Sequence, residues 1–356
     1  MRARDTPCFV CGVTATPTPD ELNLRSILRP VPHLERHPAQ HFLLIIIGAA
    51  LALGALVGIA WAAGFHQVYE LMSDVDGVWL PGALFFEIAA YAGYIVAYRE
   101  LVRVEGGPSL GIGRAGAIVA AGFGVFVIRG GFMVDRHALE DAGIPERQAR
   151  IRVLGLGALE YAVLAPAVAV AAMVIVARGQ THPSFGFTLP WAIAVPLGFG
   201  AAIIALAYRE RLHGHTGWRN VLAHALEALY VLRRLAAQPR EYAGAFLGTG
   251  LYWLGDIACL WACLRTFHSQ PDLAAMLIGY ATGYALTRRT LPLGGAGTVE
   301  AFVSFALAWA GVPLANAVLA VCAYRFFNLW LPLLPAVIGL RHLKRWRSQV
   351  ASNTTR

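Results

Sequence analysis

The sequence predicts an all-α polytopic transmembrane helix bundle with broken or re-entrant helices, and three observations carry that expectation. Of 356 residues, 57% are hydrophobic and only 14% are charged, against roughly a quarter charged in a soluble domain. Six apolar stretches, at 41–64, 78–98, 151–177, 189–208, 243–264 and 313–340, reach the roughly 20 residues that a helix needs to cross a bilayer. Three further apolar segments, 115–128, 272–287 and 298–311, are short and border on Gly and Arg. Lipid offers no partners for freed backbone groups, so a broken helix at membrane depth survives only inside protein or along a wet cavity.

Residues 1–40 are polar, Pro-rich and poor in apolar periodicity, and read as a disordered cytoplasmic tail. No apolar run lies near the start, so the first span reads as a retained signal anchor. Cys8 and Cys11 with His33 and His37 have the ligand types of a zinc site, but the interval between the pairs is longer than in a finger. A disordered tail is the preferred reading, and no metal or cofactor is expected. Cys259, Cys263 and Cys322 fall within apolar spans and read as small core residues. The membrane domain is assigned to 41–341, and 342–356 reads as a basic cytoplasmic tail.

Arginine placement sets the topology. The tail before the first span holds five Lys or Arg, 99–114 three, 129–152 five, 209–240 six and 341–356 five. Loop 65–77 holds none and carries Glu70, Asp74 and Asp76, while 178–188 and 265–271 hold one each. Basic loops stay cytoplasmic. If all nine apolar segments crossed, three of the basic stretches would fall outside. If 115–128 dips in from the cytoplasm and returns, every basic stretch lies inside, and both termini are cytoplasmic. Its length agrees, because the residues between Arg114 and Arg129 make about 21 Å of helix against about 30 Å of hydrocarbon. Segments 272–287 and 298–311 read either as two short spans or as a hairpin entering from outside, and charge counting does not choose.

The hairpin reading brings out a possible inverted repeat. Span 78–98, broken segment 115–150 and span 151–177 form one unit; span 243–264, broken segment 272–311 and span 313–340 form the other. Each holds an acid in its first span, Arg with Gly-Gly near its break, and one ionisable group in its last span. Inverted units with broken helices near the midplane are a transporter plan. Between them, 209–242 places Trp218, Leu222, Ala225, Leu229 and Leu232 on one helical stripe with Arg219, Arg233 and Arg234 mainly off it. That pattern suits an interfacial helix on an anionic leaflet or a basic linker.

Ionisable groups inside a span are expensive and need a partner or a cavity. The candidates are Glu87, Glu160, Asp256, Glu300 and Arg325, with Arg129, Asp135, Arg136, Arg288 and Arg289 at the breaks. A guanidinium binds two phosphate oxygens at once, and a helix N-terminus turns unpaired N–H groups toward the same anion. Pro292, Gly294, Gly295 and Gly297 lead straight into segment 298–311, so a lipid phosphate is a sensible guest. The plain structural alternative is that Glu300 neutralises Arg325, and Asp256 neutralises Arg288, inside a packed bundle. Trp61, Trp79, Trp191, Trp253 and Trp346 read as interfacial anchors. No nucleophile elbow, Walker loop or His-Glu-x-x-His pair is present, so no catalytic role is expected, and the basic residues are explained by topology without nucleic acid.

Pro292-Leu293-Gly294-Gly295-Ala296-Gly297-Thr298-Val299-Glu300-Ala301 resembles the Pro-x-Gly-Gly-x-Gly-x-x-Glu-Ala signature of the lysylphosphatidylglycerol synthase transmembrane-region (flippase-like) family. Gly311-Val312-Pro313 and the run from Tyr324 to Pro332 continue that family's usual ending. The resemblance covers 40–345 and is most specific in the last third. The first half departs, because the family's Asn-x-x-x-Pro and Gly-Glu before an Arg are replaced by Val127 to Arg136. In that run Arg136 stands where the family Arg would, and Asp135 takes the place of its acid. The family's aminoacyl-transferase domain is absent. The resemblance implies translocation of an anionic phospholipid or polyprenyl-linked lipid between leaflets of the cell membrane. Arg288, Arg289, Arg325, Arg129 and Arg136 would hold the phosphate; Glu300, Asp256, Glu87, Glu160 and Asp135 would balance charge or relay protons. The alternative is a membrane anchor for a separately encoded lipid synthase or glycosyltransferase.

Overall fold

The computed structural model describes residues 50, 53, 54, 57, 58, 60–129, 132–141, 144–180, 184–208, 218–285, 297–339 and 341. Among these, all regular structure is helical. Gly64, at φ 86°, breaks the chain before α1 (Phe65–Ser73). Segment 65–77 reads as a loop in the sequence, and the structure corrects this. Phe65, Val68, Leu71 and Met72 recur at helical spacing, and Glu70 pairs with His66 one turn earlier at 3.3 Å.

The chain continues through α2 (Trp79–Arg103), α3 (Ile112–Arg129), α4 (Phe132–Asp141), α5 (Glu146–Ala177), α6 (Phe185–Ala207), α7 (Trp218–Ala237) and α8 (Ala243–Thr266). Next come α9 (Leu273–Tyr280), which runs on into a π turn at Ala281–Ala285, and α10 (Thr298–Trp309). Last, α11 (Leu314–Arg325) passes through a second π turn at Phe326–Trp330 and reaches Gly339. Helices α2, α5, α6, α8 and the whole of Leu314–Gly339 are long and apolar enough to cross a membrane. The first apolar stretch, 41–64, is described only in part. The chain is a multi-pass membrane protein.

Helices α2 and α8 form the central seam and run antiparallel along their lengths. Glycine makes this possible. A Cβ on Gly93 would lie 2.5 Å from the Gly248 carbonyl oxygen, one on Gly248 2.6 Å from the Gly93 carbonyl, and one on Gly255 2.5 Å from the Phe86 carbonyl. Small residues let membrane helices approach backbone to backbone where no hydrophobic force drives them together.

The loops collect at two ends of the bundle. At one end the Asp76 amide donates to the Thr266 carbonyl, Asn316 donates to the Phe267 carbonyl at 2.7 Å, and Arg178 meets Asp272 at 3.8 Å. At the other end Arg152 donates to the Val104 carbonyl at 2.9 Å, Arg99 donates to the Leu110 carbonyl, and Arg147 bonds Glu227. The acidic segment 65–77 belongs to the first end, and the described parts of the arginine-rich segments to the second.

Between these ends lie two short hairpins. Helices α3 and α4 pack on each other, and α5 starts again at the end where α3 began. Segment 115–128 is therefore re-entrant, as its length predicts. Helices α9 and α10 pair antiparallel, with Gly279 against the Ala306 carbonyl and Gly283 against the Val303 backbone. The start of α10 lies beside Arg325, midway along the last span, so the described parts of 272–311 reach only mid-bundle from the opposite end, as a hairpin does. Two units of one plan result, a long helix, a short hairpin and a long helix, in opposite orientations.

Core packing draws on α2, α5, α8, α9 and α11, with Tyr98, Tyr252, Tyr280 and Tyr324 among its largest fully buried side chains. Helix α7 buries Ala223, Leu226, Val231 and Leu235 against the bundle and leaves Leu222, Ala225, Arg233 and Arg234 exposed. Trp253 departs from the anchor reading, because it is buried and its indole donates to the Glu160 carbonyl at 2.8 Å. Arg265 stacks over Trp79, 5.1 Å from the ring centre.

Candidate functional site

Asn328 stands at the middle of the bundle, in the π turn of the last span. A π turn shifts the hydrogen-bond ladder by one residue, and such turns concentrate at functional sites. Here the Tyr91 hydroxyl reaches across from α2 to the Asn328 carbonyl at 3.3 Å. The side chain of Asn328 joins two sets of groups. Its Nδ2 donates to Asp256 Oδ1 at 2.6 Å and to Glu87 Oε1 at 3.3 Å. Its Oδ1 accepts from the Tyr284 hydroxyl at 2.8 Å and from Arg325 Nη1 at 3.3 Å. The neighbours dictate this orientation, because a flipped amide would turn its oxygen toward two carboxylates.

Asp256 sits on α8, where the close seam brings it level with Glu87 on α2. It accepts two further hydrogen bonds, from the Tyr324 hydroxyl at 2.9 Å and from the Tyr280 hydroxyl. Tyr280, Tyr284 and Tyr324 pack edge-on or tilted against one another. Arg325 donates its Nε to Glu300 Oε1 at 2.9 Å, and its guanidinium carbon lies 6.0 Å from the Tyr284 ring centre. All of the ionisable members are buried, with 3% of Glu87, 0% of Asp256, 5% of Glu300 and 2% of Arg325 exposed.

Glu300 is the third residue of α10, and Gly297 precedes that helix at φ 79°. A left-handed residue at this position favours glycine. The first amides of α10 have no carbonyl within the helix to bind. A guanidinium and a helix N-terminus thus meet in the protein interior, a combination suited to an oxyanion. In this structure Glu300 occupies the guanidinium. Its second oxygen, Oε2, is buried without a hydrogen-bond partner among the described residues.

The sequence candidates divide by place. Glu87, Asp256, Glu300 and Arg325 come together in this one network. Glu160, buried on α5, lies one layer behind, across Trp253, whose ring meets Tyr280 edge-on. Asp135 and Arg136 belong to the α3–α4 hairpin. Asp135 is buried beside Gly122, and Arg136 pairs with Glu140 at 3.2 Å and Glu146 at 3.6 Å. Arg129 closes α3, with its side chain outside the described residues. Arg288, Arg289, Pro292, Gly294 and Gly295 lie outside the described residues altogether, as do Cys8, Cys11, His33 and His37. Among the described residues no group of three His, Cys, Asp or Glu side chains is arranged to hold a metal.

Sequence reasoning missed Asn328 and the tyrosines. A Tyr or Asn in an apolar span is unremarkable one at a time. The available signal is spacing, since Tyr280 and Tyr284 are one helical turn apart, as are Tyr324 and Asn328.

No curated protein matches the chain. A family described as the lysylphosphatidylglycerol synthase TM region matches residues 45–336, the full extent of the bundle just described. That match spans both hairpins and all five long helices, and the chain belongs to this family.

Proposed function

We propose that this protein translocates an anionic phospholipid or polyprenyl-linked lipid between leaflets, the headgroup passing through the bundle while the tails stay in lipid. The observation that supports this most directly is Arg325, buried at mid-bundle beside the glycine-capped start of α10. A charge at that depth is costly unless it is used. A phosphate would take the guanidinium fork and the open amides of α10, with Gly297 allowing close approach. Arg288, Arg289 and the glycines before Gly297 would extend the same binding surface. Arg129, Arg136 and Asp135, on the opposite hairpin, would serve the headgroup at the other end of its path. Glu87, Asp256 and Glu160 would balance the guanidinium. The chain moves lipid in this reading and does not change it chemically.

The same reading places the arginine-rich end, and with it both termini, in the cytoplasm of a cell whose surface membrane holds the protein. The exposed Leu222 and Ala225 of α7, next to exposed Arg233 and Arg234, favour a second role. That face would rest on the anionic leaflet and receive a separately encoded lipid-modifying enzyme.

The test is reconstitution into vesicles of mixed phosphatidylcholine and headgroup-labelled phosphatidylglycerol, with an impermeant quencher outside. Wild type should expose inner-leaflet label far faster than empty vesicles. Arg325→Lys, which keeps the charge and loses the fork, should slow it by about 10-fold or more. No acceleration with phosphatidylglycerol or a polyprenyl phosphate would sink the proposal.

A further inference from the structure

We propose that Glu300 is a proton carrier. It leaves Arg325 when a phosphate arrives and takes up a proton, so that anion and proton are bound together. This rests on the reading of Arg325 as the phosphate's partner.

The charges in the network motivate it. Three carboxyl groups, Glu87, Asp256 and Glu300, face one guanidinium among the described residues. The hydrogen bonds to Asn328 hold the Glu87 and Asp256 oxygens within about 6 Å of one another, close enough for strong mutual repulsion. Among the described residues no second cation joins the Glu300–Arg325 pair. An anion that enters there shares Arg325 with Glu300, and like charges at that range in a dry interior repel strongly. One proton from solvent removes the conflict. A protonated Glu300 also becomes a donor, free to turn its O–H toward the phosphate oxygen that displaced it.

Three structural details support Glu300 as the site. Its Oε1 is held by Arg325 alone among the described hydrogen bonds, and its Oε2 is buried without a described partner. It stands one turn into α10, beside the open amides that an anion would use. Asp256, by contrast, is tied by three donors on three other elements. Among the described residues, the charged and titratable groups facing the Glu300–Arg325 pair are Tyr284 from the first π turn, and Tyr324 and Cys322 from α11. Behind Asn328 lie Asp256 from α8 and Glu87 from α2. Of these, Glu300 alone gives up its described cation partner when the anion binds.

Linkage fixes the sign. If anion binding brings in a proton, lowering the pH tightens anion binding. The experiment measures proton uptake directly. Full-length protein in detergent is titrated with short-chain phosphatidylglycerol in weak buffer containing a pH indicator, and separately with inorganic phosphate. Wild type should take up about one proton per bound lipid, and its affinity should rise up to about 10-fold per unit fall in pH. Glu300→Gln should bind lipid without proton uptake and with little dependence on pH.

Lipid binding by wild type without proton uptake would overturn the inference and leave the translocation reading standing. Binding of neither probe would overturn both. Uptake with phosphate but not with lipid would keep the proton carrier and assign the site to a free anion. Unchanged uptake in folded Glu300→Gln would move the proton elsewhere and refute the assignment to Glu300.

Discussion

Arg325 and Glu300 illustrate how unequal the two sides of a buried pair can be. Together they are nearly self-sufficient, but either alone is a buried charge. Arg325→Ala should lower stability by about 3–5 kcal/mol, seen as an earlier melting transition in detergent. Changing Arg325 to Met and Glu300 to Gln together should restore part of the loss, because neither member of the pair is then left charged without the other. Tyr324→Phe is gentler. It removes one of three donors to Asp256 at nearly constant volume, and should cost about 1–3 kcal/mol in the same measurement. The ionisable residues were legible in the sequence because each is a charge in an apolar run, and that is rare enough to notice. Asn328 was not legible, although it connects the two halves of the network. Its role comes from the π turn that rotates it inward, and a one-residue change of helical register leaves no mark in composition.

Glycine decides which helices touch. Gly248 and Gly250 are two residues apart on α8, yet Gly248 meets the backbone of α2 while Gly250 has nothing within 4 Å. Gly248→Ala should destabilise by about 1–3 kcal/mol through overpacking. Gly250→Ala should be neutral or stabilise by up to about 1 kcal/mol, since it only improves helix propensity. Thermal melts of the two single variants in one detergent are the comparison, and equal behaviour would refute the close seam. The α3–α4 hairpin was legible because its length is wrong for a span. The α9–α10 hairpin was not, because both readings leave the following loop on the same side. The depth of Glu300, beside Arg325 midway along the last span, separates them. Helix α1 was overlooked because a short amphipathic segment beside a span looks like any polar loop when charges alone are counted.

Across the whole molecule, the family and the helical membrane fold were legible, since hydropathy and the Gly-rich motif before Glu300 carry both. What required coordinates was the convergence of α2, α8, α10 and α11 on one point, a consequence of packing between segments up to 241 residues apart. The assignment of loops to two ends makes a prediction at this scale. In a chain stripped of its own cysteines, Ser73→Cys and Gln238→Cys should react with an impermeant maleimide from opposite faces of sealed vesicles. Labelling of both from one face would break the topology.

The glycine seam also bears on how such a protein could be made and how it arose. Helices α2 and α8 belong to different halves, and their contact is a fitted surface that needs no covalent link between them. Two polypeptides divided between α6 and α7, expressed from separate genes, should find one another in the bilayer and rebuild the bundle. A tagged second half should retain an untagged first half through purification, and lose it when Gly248 is enlarged. Such independence is what an ancestor composed of two identical short chains, later fused, would have required.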